Sequence, residues 1–236
     1  MVERSSSYPE TRKSRYTLDH QFLDSINSEE KAYWLGFVTA DGSVHIGDDG
    51  KRRLSVQLAA YDGGHLQKMA DAFASNKPVL YTKRNEAVLV FNSLPIVRSL
   101  SKLGVNPRKS GIVLPWSGPV HLMPHYWRGL LDGDGTISLN RAESKWTVGI
   151  CGSVHCVVEF SNWARDVSLS KAVPRQAPGS SLCWYWQVAG TWAPQRLVSA
   201  LYRNANIFLD RKKNLADRLM AIEFQNPSKT KKGGGA

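Results

Sequence analysis

The feature that most constrains this chain is that it contains one segment twice. Residues 33–46 read YWLGFVTADGSVHI and residues 126–139 read YWRGLLDGDGTISL. In register, Tyr, Trp, Gly and an Asp-Gly pair coincide without a gap, and a polar–apolar alternation follows in both. The spacing is 93 residues, the difference between positions 41 and 134, which leaves each copy room for one supersecondary unit of helices and strands.

The same order of signals runs through both copies. In the first, Asn27 with Glu30 three residues later is a capping-box signature that opens a helix to about residue 40. Asp-Gly ends it, since Gly tolerates the left-handed conformation of a helix stop. Ser43–Ile46 and Leu54–Ala60 alternate as half-buried strands do, Asp62–Ala74 has helical spacing, Val79–Thr82 and Ala87–Asn92 form a second strand pair, and Pro95–Leu103 a closing helix. In the second, a helix from Pro124 to about residue 132 precedes strands at Thr136–Asn140 and Trp146–Cys151. A helix at Ser153–Val167, strands at Lys171–Gln176 and Leu182–Ala189, and helices at Pro194–Arg203 and Asp210–Phe224 complete it. The plan is α+β, αββαββα written twice, with repeat 1 over 27–115 and repeat 2 over 116–225. Residues 1–26 read as a flexible basic arm, in which Arg12, Lys13 and Arg15 are phosphate-contact candidates, and 226–236 as a disordered basic tail.

Composition narrows the partner. Thirty-one Lys+Arg against 20 Asp+Glu give a formal charge of +11, which suits a polyanion because each neutralised phosphate releases condensed counterions. No apolar run approaches the roughly 18 residues of a membrane span, and the N-terminus lacks the apolar stretch of a secretory signal. The expectation is an intracellular, non-secreted protein acting wherever its target lies. Cys151, Cys156 and Cys183 contain no CxxC pair and leave one thiol over in any pairing, so they read as reduced thiols and not as a zinc site.

Gly36 and Gly129 lie inside the repeated helices, where Gly costs roughly 1 kcal/mol relative to Ala. Such positions are expected where two backbones approach closely. If the copies pack through these glycines, their C-terminal ends bring Asp41 and Asp134 together. Two carboxylates added to two negative helix ends repel unless a cation lies between them. Magnesium is the natural occupant, because it takes one or two carboxylates plus phosphate oxygens and waters, and it can activate a water for phosphodiester hydrolysis. Mn2+ is expected to substitute, and Ca2+ to bind without supporting cleavage. An EF-hand reading of DGDGTI fails: with its glycine at Gly135, Leu130 and Arg141 fall where acidic ligands are needed.

WLGFVTADG (34–42) and WRGLLDGDG (127–135) resemble the paired signature of the LAGLIDADG homing endonucleases in their single-chain, two-repeat form. The resemblance covers roughly residues 27–224. It implies a pseudo-twofold monomer with the signature helices at the repeat interface, two antiparallel sheets forming a saddle over double-stranded DNA, and metal-dependent cleavage of both strands of a long site. The last Asp of each motif, here Asp41 and Asp134, is the implied metal ligand. One departure is Thr39, where the family usually has the inner Asp, as Asp132 is in the second copy; asymmetry between the halves is expected. A basic residue after the fourth strand of each repeat maps onto Lys109 in NPRKS and Lys212 in LDRKK. A lysine there can stabilise developing charge, help deprotonate the attacking water, or simply grip phosphate. Lys213 competes with Lys212. Asp62 and Ser153 begin the second helix of each half, where the family often keeps a polar group.

Strand parity selects the DNA-facing side chains. With Val44, Leu54, Val56 and Leu58 inward, Ser43, His45, Arg53, Ser55 and Gln57 point away from the core; Thr136, Ser138, Asn140, Lys145 and Thr147 do so in the second copy. Tyr185 and Gln187 alternate with Trp184, Trp186 and Val188, so either set can be outward, and the polar one is preferred. Lys83, Arg84, Arg141 and Arg175 are expected at phosphates on the rim. A binding protein on the same scaffold, such as an intron maturase or a transcription regulator, is the alternative to a nuclease. No splicing block surrounds the repeats, so the reading is a free-standing or intron-encoded protein and not part of an intein.

Overall fold

A computed structural model describes residues 15–47, 51–106, 113–142 and 144–222. The first repeat runs α1 (Glu29–Asp41), β1 (Gly42–Ile46), β2 (Arg52–Ala59), α2 (Gly63–Ala72), β3 (Leu80–Tyr81), β4 (Glu86–Asn92) and α3 (Leu94–Lys102). The second runs α4 (Met123–Asp134), β5 (Gly135–Asn140), β6 (Lys145–Gly152), α5 (Val154–Ser168), β7 (Arg175–Gln176), β8 (Trp184–Gly190) and α6 (Trp192–Tyr202), with α7 (Asp210–Met220) added. Each repeat forms one four-stranded antiparallel sheet, β1-β2-β4-β3 and β5-β6-β8-β7. The matching strand orders establish the duplicated αββαββα plan.

Several boundaries differ from the sequence expectation for identifiable reasons. Ser28, not Asn27, caps α1, its hydroxyl accepting from Lys31 N at 3.3 Å, and Glu29 and Glu30 then sit in the first turn where the helix dipole favours them. The glycines ending α1 and α4 are not left-handed: Gly42 has φ −73° and Gly135 φ −91°. What demands glycine is space, since a Cβ on Gly42 would lie 2.7 Å from a Val38 methyl and one on Gly135 2.7 Å from Leu131 Cα. Both helices also run on through the Asp, one residue past expectation in α1 and two in α4. The strand expected at 171–176 shrinks to Arg175–Gln176.

Residues 17–26, assigned by sequence to the flexible arm, pack on repeat 1. Phe22 and Leu23 are buried, Phe22 stacks 4.2 Å from Phe73, and Asp19 N donates to the Phe73 carbonyl. Their apolar side chains find a groove left by α2 and α3, which no local pattern announces.

Apolar side chains of both sheets and all the helices form one core. At its centre α1 packs on α4 with almost no space between backbones: a Cβ on Gly36 would collide with the Tyr126 carbonyl oxygen, and one on Gly129 with that of Tyr33. Tyr33 and Tyr126 are register mates, so the contact has twofold character. Around it, Trp34 packs on His65 with centroids 4.9 Å apart, while its counterpart Trp127 packs on Phe160 at 5.4 Å.

Candidate functional site

Close helix packing carries the two terminal aspartates to one place. Asp41 ends α1 and Asp134 ends α4. A Cβ on Gly133 would lie 3.2 Å from Asp41 Oδ2, so the Asp41 carboxylate rests against the residue before Asp134. Asp134 is exposed and Asp41 partly so. Their setting is the negative end of two helices, which adds to the charge they concentrate.

Lys212 reaches the same place from α7. It is buried, and its ammonium donates to the carbonyl oxygens of Leu131 at 2.6 Å, Asp132 at 2.7 Å, Gly133 at 3.2 Å and Gly135 at 2.7 Å. These carbonyls include both neighbours of Asp134, so the lysine holds the strand–helix junction that presents the carboxylate. Burial lowers its pKa to about 8, while the charges of Asp132, Asp41 and Asp134 oppose the fall. Lys213 turns away, pairing with Asp217 at 2.6 Å and lying over the Phe208 ring. Of these two lysines it is Lys212 that reaches the end of α4. Lys109, its expected counterpart, lies outside the described residues.

Beneath the aspartates, the inner motif residues each meet a tyrosine of the other helix. Tyr33 donates to Asp132 Oδ2 at 2.8 Å, and Tyr126 hydrogen-bonds Thr39. Thr39 also donates to the Leu35 carbonyl at 2.7 Å. Asp132 collects more: Tyr202 at 2.5 Å and Leu209 N at 2.8 Å. Burial raises its pKa, and these donors with the Lys212 charge partly offset the rise. The Tyr33 proton goes to Asp132, so His65 Nε2–H donates to Tyr33 Oη at 2.9 Å, and burial depresses the His65 pKa to about 3.

Sequence reasoning missed this buried network. It also missed Arg128, which is 1% exposed and donates to Glu29 at 2.8 Å and to the carbonyls of Leu201 and Ile207 at 2.9 Å each. The available signal was an arginine in an apolar helix where the first copy has Leu35. Asp62 and Ser153 are both engaged: Asp62 accepts from Arg211 at 2.8 Å, and Ser153 caps α5 and donates to Val113 O at 2.6 Å.

The sheets present the expected parity. Val44, Leu54 and Val56 are buried, whereas Ser43, His45, Arg53 and Gln57 are exposed and Ser55 half-buried. Ser43 pairs with Ser55 and His45 with Arg53, giving a continuous polar face. In repeat 2, Thr136, Ser138, Asn140 and Lys145 are exposed, Thr147 is half-buried, and Ser138 pairs with Thr147. Trp186 and Val188 are buried, so Tyr185 and Gln187 are the outward set, with Arg175 opposite Tyr185. Lys83, Arg84 and Arg141 are exposed at hairpin turns. Register adds Asn92, which pairs with Arg53 and is exposed, a position the parity argument passed over.

The fold is that of the LAGLIDADG homing endonucleases. No protein-family model matches the sequence, and no curated protein does. Among solved structures, the chain is similar to the LAGLIDADG homing endonuclease I-LtrWI bound to target DNA (10% identity, 85% of this chain and 90% of that one, TM-score 0.54). It is similar also to I-GzeII in complex with its DNA target (13%, 82% and 88%, TM-score 0.56). A third is I-SmaMI bound to uncleaved DNA target in the presence of calcium ions (11%, 83% and 91%, TM-score 0.56).

Proposed function

We propose that this chain is a site-specific endonuclease that makes metal-dependent double-strand breaks in a long, asymmetric DNA target by phosphodiester hydrolysis. The observation that carries the reading is the meeting of Asp41 and Asp134 at the ends of two glycine-packed helices. The DNA complexes of its structural neighbours, its charge of +11 and the outward polar face of both sheets support a duplex DNA partner. Among the described residues no helix is long and apolar enough to cross a membrane, and the chain acts as a monomer because both halves of the site lie in it.

Asp41 and Asp134 would hold the cation. Among the described residues no cluster of three or more His, Cys, Asp or Glu could hold a metal by itself, so the two carboxylates would need water and phosphate oxygens to complete the ion's coordination. Hard carboxylate oxygens suit Mg2+, with Mn2+ able to replace it. Calcium with uncleaved DNA in the I-SmaMI structure supports Ca2+ as an ion that binds without cleavage here. The bound ion supplies a water of lowered pKa and a counter-charge for the leaving oxygen. The protein's part is to present the two carboxylates, to keep Asp134 fixed through Lys212, and to place positive charge beside the scissile phosphate. Arg53, Gln57, Asn140 and Gln187 are suited to bidentate base contacts in the major groove.

Cleavage selection from a randomised DNA library with Mg2+, repeated with Ca2+, tests this reading. The expected result is cutting of a defined site with Mg2+ and retention of the same site uncut with Ca2+. Tight binding to one site without cutting in either would favour a maturase or transcription regulator on this scaffold.

A further inference from the structure

All three cysteines of the chain, spread from position 151 to 183, line one cavity of about 430 Å3 whose wall includes Asp134. Cys156 is buried and engages the Val113 carbonyl at 3.6 Å. The other two are reachable, Cys151 exposed and Cys183 half-buried. Cys151 stands opposite Tyr185 in the β6–β8 ladder, and Cys183 lies two residues before Tyr185, at the approach to β8. Cys183 Sγ lies 3.7 Å from the carbonyl of its neighbour Trp184, on the wall of the cavity that Cys151 also lines. Cys183 just precedes β8, so the small backbone shift a bridge requires falls outside the ladder. Cys151 Sγ also donates to the backbone carbonyl of Asp134, 3.3 Å away.

We propose that Cys151 and Cys183 form a reversible modification site, closing to a disulfide by exchange with a low-molecular-weight disulfide and thereby weakening cation binding at Asp134. One protein thiolate attacks the small disulfide, forming a mixed disulfide and releasing one small thiol. The second protein thiolate then displaces the other small thiol and leaves a Cys151–Cys183 bond. Two electrons pass from the protein sulfurs to the reagent, and the two thiol protons leave on the small thiols. The bridge removes the S–H that Asp134 O accepts and ties down the cavity wall beside the carboxylate. The effect on the cation rests on the reading of Asp134 as a metal ligand. It is confined to repeat 2, because Gln57 occupies the equivalent place in repeat 1: Gly42 pairs with Val56 and Gly135 with Ile150.

The test exposes the full chain to oxidised glutathione, alkylates the remaining thiols, maps disulfides by mass spectrometry, and measures Ca2+ affinity by calorimetry before and after with the DNA site from the library selection bound. The expected result is a Cys151–Cys183 linked peptide lacking two hydrogens, with Ca2+ binding weakened about ten-fold, the scale of losing an outer-shell partner, and recovered with dithiothreitol. Cys183→Ser should bind Ca2+ as the reduced protein does and, with no second thiol to resolve it, should stop at a Cys151–glutathione mixed disulfide and form no bridge. Glutathionylated cysteines without a bridge overturn the proposal, as does a bridge that leaves Ca2+ affinity unchanged. Absence of Ca2+ binding in the reduced protein overturns the metal reading and the coupling with it. A failed nuclease reading shows separately, as a reduced protein that binds Ca2+ but cuts no DNA with Mg2+.

Discussion

The two signature helices share a backbone but not an interior. Across the pseudo-twofold, Tyr126 meets Thr39 and Tyr33 meets Asp132. Thr39 returns its proton to its own helix at Leu35 O, whereas Asp132 gathers Tyr33, Tyr202 and Leu209 N. A neutral hydroxyl is satisfied by one carbonyl; a buried carboxylate needs several donors, and the second repeat recruits them from α1, α6 and the start of α7. That recruitment docks α7 and brings Lys212 onto the end of α4. The difference teaches that the duplicated motif fixes where the aspartates go, while the inner residue decides how firmly each half is tied to its surroundings.

The largest effect should erase the comparison at its outer residues. Asp41→Asn and Asp134→Asn are each expected to lower double-strand cleavage at least about a hundred-fold, the scale of losing a directly engaged transition-state group, with DNA affinity in Ca2+ retained by gel shift. If both variants still cut, the metal site is wrong; if only one does, the halves are not equivalent at the acids.

Next in size are the glycines. Gly36→Ala or Gly129→Ala forces a methyl onto a backbone carbonyl and should cost about 3 kcal/mol in urea unfolding, equally for both if the contact is truly twofold. The inner pair should then separate the halves. Asp132→Ala strands three buried donors and should cost about 3 kcal/mol, whereas Thr39→Val should cost no more than about 1 kcal/mol.

A pH series sharpens the contrast between Trp34 on His65 and Trp127 on Phe160. The folded pKa of His65 is depressed to about 3 from 6.5, so between those values the unfolded chain holds a proton that the folded one lacks. Its contribution is present above pH 6.5 and is lost as pH falls, at no more than about 1.4 kcal/mol per pH unit. His65→Gln should flatten that part of the stability–pH curve; an unchanged slope would mean the ring is not buried as described.

Much of this was legible along the chain. Repetition of Tyr-Trp, the mid-helix glycine and Asp-Gly gave the element plan and the two aspartates, because a close helix crossing requires glycine at the contact wherever the rest of the chain goes. Period-two alternation gave the outward set on β1, β2, β5 and β6, since side chains of a strand leave on alternate faces. The choice between Lys212 and Lys213 was not legible. Both follow Arg211 in a basic run, and only the docking of Leu209 N on Asp132 turns the first toward α4.

Sequence by itself thus determined the duplication, the carboxylate pair and the polarity of each strand, because all three are periodic or local patterns. Tertiary structure decided the rest. It closed α1 on α4 so that Asp41 lies against Gly133, buried Arg128 on Glu29, packed Phe22 into repeat 1, and gathered Cys151 and Cys183 beside Asp134. Each of these joins residues distant along the chain, and such contacts form only when desolvation of the whole core fixes the elements around them.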